Sequence, residues 1–222
     1  MQGYGMKTHL QMEIEHVKSR IFEMADRSIE AISKSVEALR NADVRLATSV
    51  IDEDSFIDEL EKSIDEESVR ILVTRQPAAV DLRFILSMLK MNTDLERIGD
   101  LATTIAKQVL VLDGRHPVKP LIDIPRMAAT AIGMIKDSLA SISESDSVKA
   151  KEVIARDREI DELNVQIFRE LFSIMAENPS KISDAFALIM AARSLERIGD
   201  HATNLAERAV YYIEGIDIRH TM

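Results

Sequence analysis

The hexapeptide Leu95-Glu96-Arg97-Ile98-Gly99-Asp100 recurs letter for letter as Leu195-Glu196-Arg197-Ile198-Gly199-Asp200. Six matching residues in so short a chain mark an internal duplication, and whatever one half folds into, the other must fold into as well. The repeat reaches far beyond the hexapeptide. Met24, Ala25, Ile29, Ile32 and Asp43 match Met127, Ala128, Ile132, Ile135 and Asp146 at an offset of 103. The same offset relates Asp54, Ile57, Asp58, Glu59 and Leu60 to Asp157, Ile160, Asp161, Glu162 and Leu163. From Leu95 the offset is 100. The three-residue change falls near Pro77 and Pro179, as expected of a loop.

Breakers divide each copy into three helical stretches. Asn41-Ala42-Asp43 ends the first and supplies a cap for the second, and Gln76-Pro77 separates the second from the third. Ser143-Glu144-Ser145-Asp146 and Asn178-Pro179-Ser180 do the same in the second copy. Proline suits a first helical turn, and Asp or Asn suits the cap before it. The pattern predicts helices over 7–41, 43–75, 78–113, 121–143, 146–177 and 180–214. Short loops imply antiparallel neighbours. The expected architecture is therefore all-α, with a three-helix bundle over 6–113, a Pro-containing linker over 114–125, a second bundle over 126–216 and a tail over 217–222. Met1 to Gly5 read as a short tail ahead of Met6, a natural start. Val109-Leu110-Val111-Leu112 is too short for a strand and closes a helical pattern.

Composition narrows the function classes. The formal charge is −10, with 28 basic and 38 acidic side chains. That disfavours nucleic acid as a partner and suits cations or basic surfaces. With no Cys there are no disulfides and no thiolate metal sites, which fits a reducing compartment. No apolar run approaches the ~18 residues a membrane span needs. There is no phosphate-binding glycine loop, no nucleophile elbow and no basic-aromatic stripe.

The repeated hexapeptide carries an acidic pair four residues apart, which lies on one helix face. Met91, Leu95, Ile98, Ala102, Ile105, Val109 and Leu112 step by four and three and read as the core seam of the third helix. Ala191, Leu195, Ile198, Ala202, Leu205, Ala209 and Tyr212 are its counterpart. Glu96 and Asp100 fall on the opposite stripe and are expected to point away from the core, as are Glu196 and Asp200. In the second helix Asp54 and Asp58 flank the core stripe of Ile57, Leu60, Ile64 and Ile71. Flank and outer face meet in a groove, which would gather Asp54, Asp58, Glu96 and Asp100. The second copy would gather Asp157, Asp161, Glu196 and Asp200. Carboxylates so grouped repel by ~1 kcal/mol per pair at 4 Å in bulk water, and by more near a protein surface. A multivalent cation removes that cost, and an all-oxygen set suits Mg, Ca, Mn or iron. An acidic pair alone is usually only solvated charge; the equivalent placement in both copies is what favours a site. Gly99 and Gly199 add to it, because a mid-helix Gly costs about 1 kcal/mol relative to Ala. A neighbouring helix or ligand in close approach would explain them. Arg83 and Arg97 are expected beside the acidic groove, pairing with it or facing a partner. The five histidines, His9, His16, His116, His201 and His220, are scattered and give no obvious ligand set.

The chain resembles the PhoU family of bacterial phosphate-uptake regulators over essentially all of residues 6–222. The resemblance rests on Asp54-x-x-x-Asp58, on Gln76-Pro77-Ala78-Ala79-Val80-Asp81-Leu82-Arg83 and on both Leu-Glu-Arg-Ile-Gly-Asp segments. Asn204-Leu205-Ala206-Glu207 and Gly215-Ile216-Asp217-Ile218-Arg219-His220 complete it. It implies two three-helix bundles without catalytic activity, and metal (iron, zinc, manganese or magnesium) at the acidic motifs. It further implies a cytoplasmic protein, often dimeric, that represses the phosphate-starvation response between the phosphate ABC transporter and a membrane sensor kinase. On this chain the motif carboxylates are the eight named above, with Asn204 and Glu207 continuing the second site. The first copy has Thr104 and Lys107 there, which sets the two sites apart.

Two other readings compete. A di-iron carboxylate enzyme takes Glu-x-x-His from two helices lining a bundle interior. Here only Glu13-x-x-His16 fits that pattern. A purely structural helical adaptor without metal is the second; within the family reading, a helical metal-binding adaptor would serve another transporter.

Overall fold

Six long helices make up the computed structural model, which describes residues 8–219. They are α1 (His9–Asn41), α2 (Val44–Arg75), α3 (Ala79–Leu112), α4 (Asp123–Glu144), α5 (Ser147–Glu177) and α6 (Ile182–Glu214). A 3₁₀ turn over Pro179–Lys181, not foreseen from sequence, leads into α6. Among the described residues there are no strands. His220 lies outside them.

The caps follow the duplication. Asp43 accepts from the backbone N–H groups of Arg45 and Leu46, and Asp146 accepts from those of Val148 and Lys149. Each such cap is worth about 1 kcal/mol. Thr8 and Gln11 form a reciprocal capping box at the start of α1. The expected linker over 114–125 is shortened at its far end, where α4 starts at Asp123 and Pro125 lies in its first turn.

Helices α1 to α3 form one three-helix bundle and α4 to α6 the other. The predicted α3 seam from Met91 to Leu112 is wholly buried. In α6 the equivalent residues are buried from Ala191 to Ala209, and Tyr212 is partly buried. Burying each large aliphatic side chain contributes ~1.5–3 kcal/mol.

The sequence did not reveal how the bundles join. Helices α3 and α6 pack on each other along their whole length, and α1 touches α4. The pairs Arg83/Gly215, Phe84/Tyr212, Asp94/Asn204 and Arg115/Asp184 run in opposite directions along the two helices. The seam is therefore antiparallel, as an approximate twofold relation between the copies requires. It buries a further face of α3, including Phe84, Asp94 and Leu101.

Candidate metal centre: two carboxylate grooves

The groove of the first bundle runs between α2 and α3, and that of the second between α5 and α6. Their floors are set by glycine. A Cβ added to Gly99 would lie 2.8 Å from Ile57 Cδ1 and 3.4 Å from Asp54 Oδ1. One added to Gly199 would lie 2.8 Å from Asp157 Oδ1 and 3.0 Å from Ile160 Cδ1. The missing methyl lets each second helix approach closely enough to bring its carboxylates against the repeated hexapeptide.

All eight motif carboxylates fall in these grooves. Burial, then Asp100 and Asp58, raises the Asp54 carboxyl above its ordinary range. Burial and Asp100 push Glu96 up to about 7, with Glu61 and Asp58 adding to the effect and Arg97 opposing it. In the second groove burial, Asp161, Asp200 and Glu196 push Asp157 up to about 6. Glu196 and Asp200 also rise, first through burial and then through neighbouring acids. The outward orientation expected of Glu96 needs correcting, because its side chain is only 15% exposed. The approach of α2 covers it, and its Oε2 is buried without a hydrogen-bond partner.

Two acids not anticipated from sequence lengthen the first groove. Glu61 is raised by burial, Asp65 and Asp58. Asn92, fully buried, donates from Nδ2 to Asp65 Oδ1 and to the Glu61 carbonyl, both at 2.9 Å. The signal was present: Asp54, Asp58, Glu61 and Asp65 step by four, three and four, one stripe of a helix. At the matching positions the second copy has Asn164, Phe168 and Ala192. The first groove is thus the longer one.

The second groove does not gain the extension expected for it. Asn204 Nδ2 donates to Asp94 Oδ1 at 3.0 Å across the α3–α6 seam, where His201 Nδ1 also meets Asp94 Oδ1 at 2.9 Å. Glu207 lies near the C-terminal segment, where its charge acts on Arg219. Of the two arginines expected beside the groove, Arg97 is there, 3.0 Å from Asp100 Oδ2 and 3.4 Å from Glu96 Oε2. Arg83 is not; it packs against Gly215 on the seam. The Glu13-x-x-His16 pair is committed elsewhere. Glu13 accepts from Arg70 and Arg75, and His16 meets Glu67, all clasping α1 to α2.

The oxygen-only donor set, the desolvated acids and the Glu96 oxygen that accepts no hydrogen bond fit a hard multivalent cation. Among the described residues, no three acidic or histidine side chains converge on one point at coordination distance. A cation would have to draw them together.

Comparison with known proteins now places the chain. A family model described as the PhoU domain matches twice, over residues 21–109 and 124–209. The chain belongs to the PhoU family. A protein of Pseudomonas putida named phosphate-specific transport system accessory protein PhoU homolog is 40% identical, over 94% of this chain and 82% of its own. One of the same name from Aquifex aeolicus is 41% identical, over 94% of each chain. The crystal structure of PhoU from Pseudomonas aeruginosa matches with a TM-score of 0.88 at 37% identity, covering 92% of this chain and 99% of that one. The phosphate transport system regulatory protein PhoU from Streptococcus pneumoniae matches with a TM-score of 0.87 at 26% identity, covering 94% and 99%. Both bundles and the seam between them lie within these matches.

Proposed function

We propose that this chain is a non-catalytic accessory regulator of phosphate uptake that works in the cytoplasm and binds metal in its two carboxylate grooves. The observation that carries the metal reading is the pair of equivalent grooves, each floored by a glycine and each holding desolvated acids of raised pKa. A cation would offset that repulsion, and it would add oxygen-ligand bonds between α2 and α3 and between α5 and α6. Iron, zinc, manganese and magnesium are all candidates. The regulatory reading rests on relatives named as accessory proteins of phosphate transport. No helix of the described residues is long and apolar enough to cross a membrane. Action on a membrane system would therefore go through contact with its protein components. We assign those contacts to the phosphate ABC transporter and a membrane sensor kinase, with the chain acting as a homodimer and repressing the starvation response.

Deleting the gene tests this directly. Starvation genes should switch on in high phosphate, and tagged protein should retain transporter or kinase subunits after mild solubilisation. Silent genes and an empty pull-down would sink the regulatory reading. Elemental analysis of untagged, dialysed protein tests the metal reading separately.

A further inference from the structure

About half of the described cations of this acidic chain pair with nearby acids, and among the others one group gathers at the seam. Arg83 and Lys90 lie two turns apart on one face of α3. Across the antiparallel seam, Arg208 of α6 and the segment after Gly215 face them. Gly215 adopts φ +72, and a Cβ there would lie 3.3 Å from Arg83 Nη1. The glycine thus turns the chain and gives the Arg83 guanidinium room to lie against it. The segment then carries Asp217 and Arg219 back toward Lys90. We propose that Arg83, Lys90, Arg208 and Arg219 form an oxyanion-binding site on this seam, which takes a tetrahedral dianion such as a phosphate or phosphoryl group.

Three observations carry it. Arg83, Lys90 and Arg208 form no ion pair among the described residues, and the Nε atoms of both arginines are buried without a hydrogen-bond partner. Burial, and then the charges of Arg208 and Arg219, hold the Lys90 ammonium below its ordinary range, as crowded cations short of anions should. The Asp217 carboxylate already occupies the cation field. Arg219 binds it through Nε at 2.8 and 3.0 Å, and the charge of Arg208 helps lower its pKa. Glu207 adds a second negative charge near Arg219. Among the described residues, four cations against these two acids leave an excess of two positive charges, which a dianion would balance. Guanidinium forks suit such an anion because they donate paired hydrogen bonds to oxygens on one centre.

The duplication supplies an internal control. The positions equivalent to Arg83, Lys90 and Arg208 hold Ser183, Met190 and Gln108. At that end of the seam Arg115 Nη2 pairs with Asp184 Oδ1 at 3.0 Å, and Lys181 Nζ lies 4.0 Å from Asp184 Oδ2, so the cations there already face an acid. The cationic end is therefore not inherited from the repeated unit.

Calorimetric titration of the full, chelator-treated chain at low ionic strength tests the site. The probes are inorganic phosphate and a phosphoserine peptide beside its unphosphorylated twin. Chelation removes any phosphate bound through a metal. Saturable binding of phosphate would assign a free oxyanion; binding of the phosphopeptide alone would assign a phosphoryl group on a partner. In either case Arg83→Gln and Arg208→Gln should each weaken binding about tenfold or more, since a charged hydrogen bond is worth ~1.5–3 kcal/mol. Arg83→Lys keeps the charge and should recover only part of the loss. Asp217→Asn removes the internal competitor and should tighten binding. Arg126→Gln, which breaks a surface pair with Glu159, should change nothing. The assignment falls if neither probe binds, or if folded Arg83→Lys and Arg208→Gln proteins bind as the parent does.

Discussion

Gly199 and Asp157 share a space that holds only one of two things: the Asp157 carboxylate or a methyl group on residue 199. Such a methyl would fall 2.8 Å from Asp157 Oδ1. Gly199→Ala gains about 1 kcal/mol of helix propensity. It must then displace Asp157 and press on Ile160, and overpacking of this kind costs ~1–3 kcal/mol. The expected sum is a small net loss of stability in urea denaturation, with weaker metal binding in the second groove. Gly99→Ala should behave alike through Ile57 Cδ1, also 2.8 Å away. Alanine variants more stable than the parent, with metal uptake intact, would show that the helix approach is not set by these glycines.

The raised acids predict an unusual pH profile for metal-free protein. Glu96 moves from an ordinary 4.5 to about 7, and Asp157 from 3.8 to about 6. Between those limits the folded state holds protons that the unfolded state has released. Stability therefore falls as pH rises through this window, and is recovered as pH falls toward 4.5. Chelated protein should melt at a higher temperature at mildly acidic pH than at pH about 8, above both folded values. Glu96→Gln should raise the melting temperature at the higher pH and flatten the profile. A parent that is steadily more stable toward alkaline pH would contradict the burial of these groups.

Much of this was legible in the sequence because the repeat and helix periodicity carry local information. The core seam of α3 and the caps Asp43 and Asp146 follow from spacing along one chain segment, and the meeting of Asp54 and Asp58 with Glu96 and Asp100 follows from the faces of two successive helices. Misses arose where a side chain answers to a distant segment. Asn204 shares the Asp200 side of α6, yet Asp94 of the other bundle claims it. Arg83 lies in a run that reads as groove-flanking, yet the C-terminal turn claims it. Helix periodicity gives the angle of a residue about its own axis; it does not say which neighbour waits there. Glu61 and Asp65 are a different case, since their stripe with Asp54 and Asp58 is visible in the spacing of α2 alone.

Asp94 should prove structural. Its side chain is 12% exposed and receives both His201 and Asn204 at the seam. Asp94→Ala leaves a buried amide and a ring nitrogen without their acceptor, at a cost of about 1–3 kcal/mol. Ser194 stands at the equivalent position and donates to its own helix at Met190, with no comparable cross-seam bond. Ser194→Ala should therefore be nearly neutral. Equal loss in the two variants would mean that the Asp94 contacts contribute little to joining the bundles.

The grooves should differ in cation loading, and the longer one should load first. Six carboxylates line the first groove, Asp54, Asp58, Glu61, Asp65, Glu96 and Asp100, against four in the second. More negative ligands raise cation affinity, although Arg97 must swing away from Asp100 and Glu96 for the full charge to be felt. Calorimetric titration of chelated protein with Mn or Zn should therefore resolve a tighter and a weaker class. Glu96→Gln with Asp100→Asn should remove the tighter class, and Glu196→Gln with Asp200→Asn the weaker one. Glu61→Gln should weaken the first class alone, which separates a ligand role from a general loss of charge. Binding to the folded state adds ~2.7 kcal/mol at a metal concentration 100 times the dissociation constant. The melting temperature should rise accordingly in the parent and less in each double variant. Unchanged stoichiometry in both double variants would place the metal, if any binds, somewhere other than the grooves.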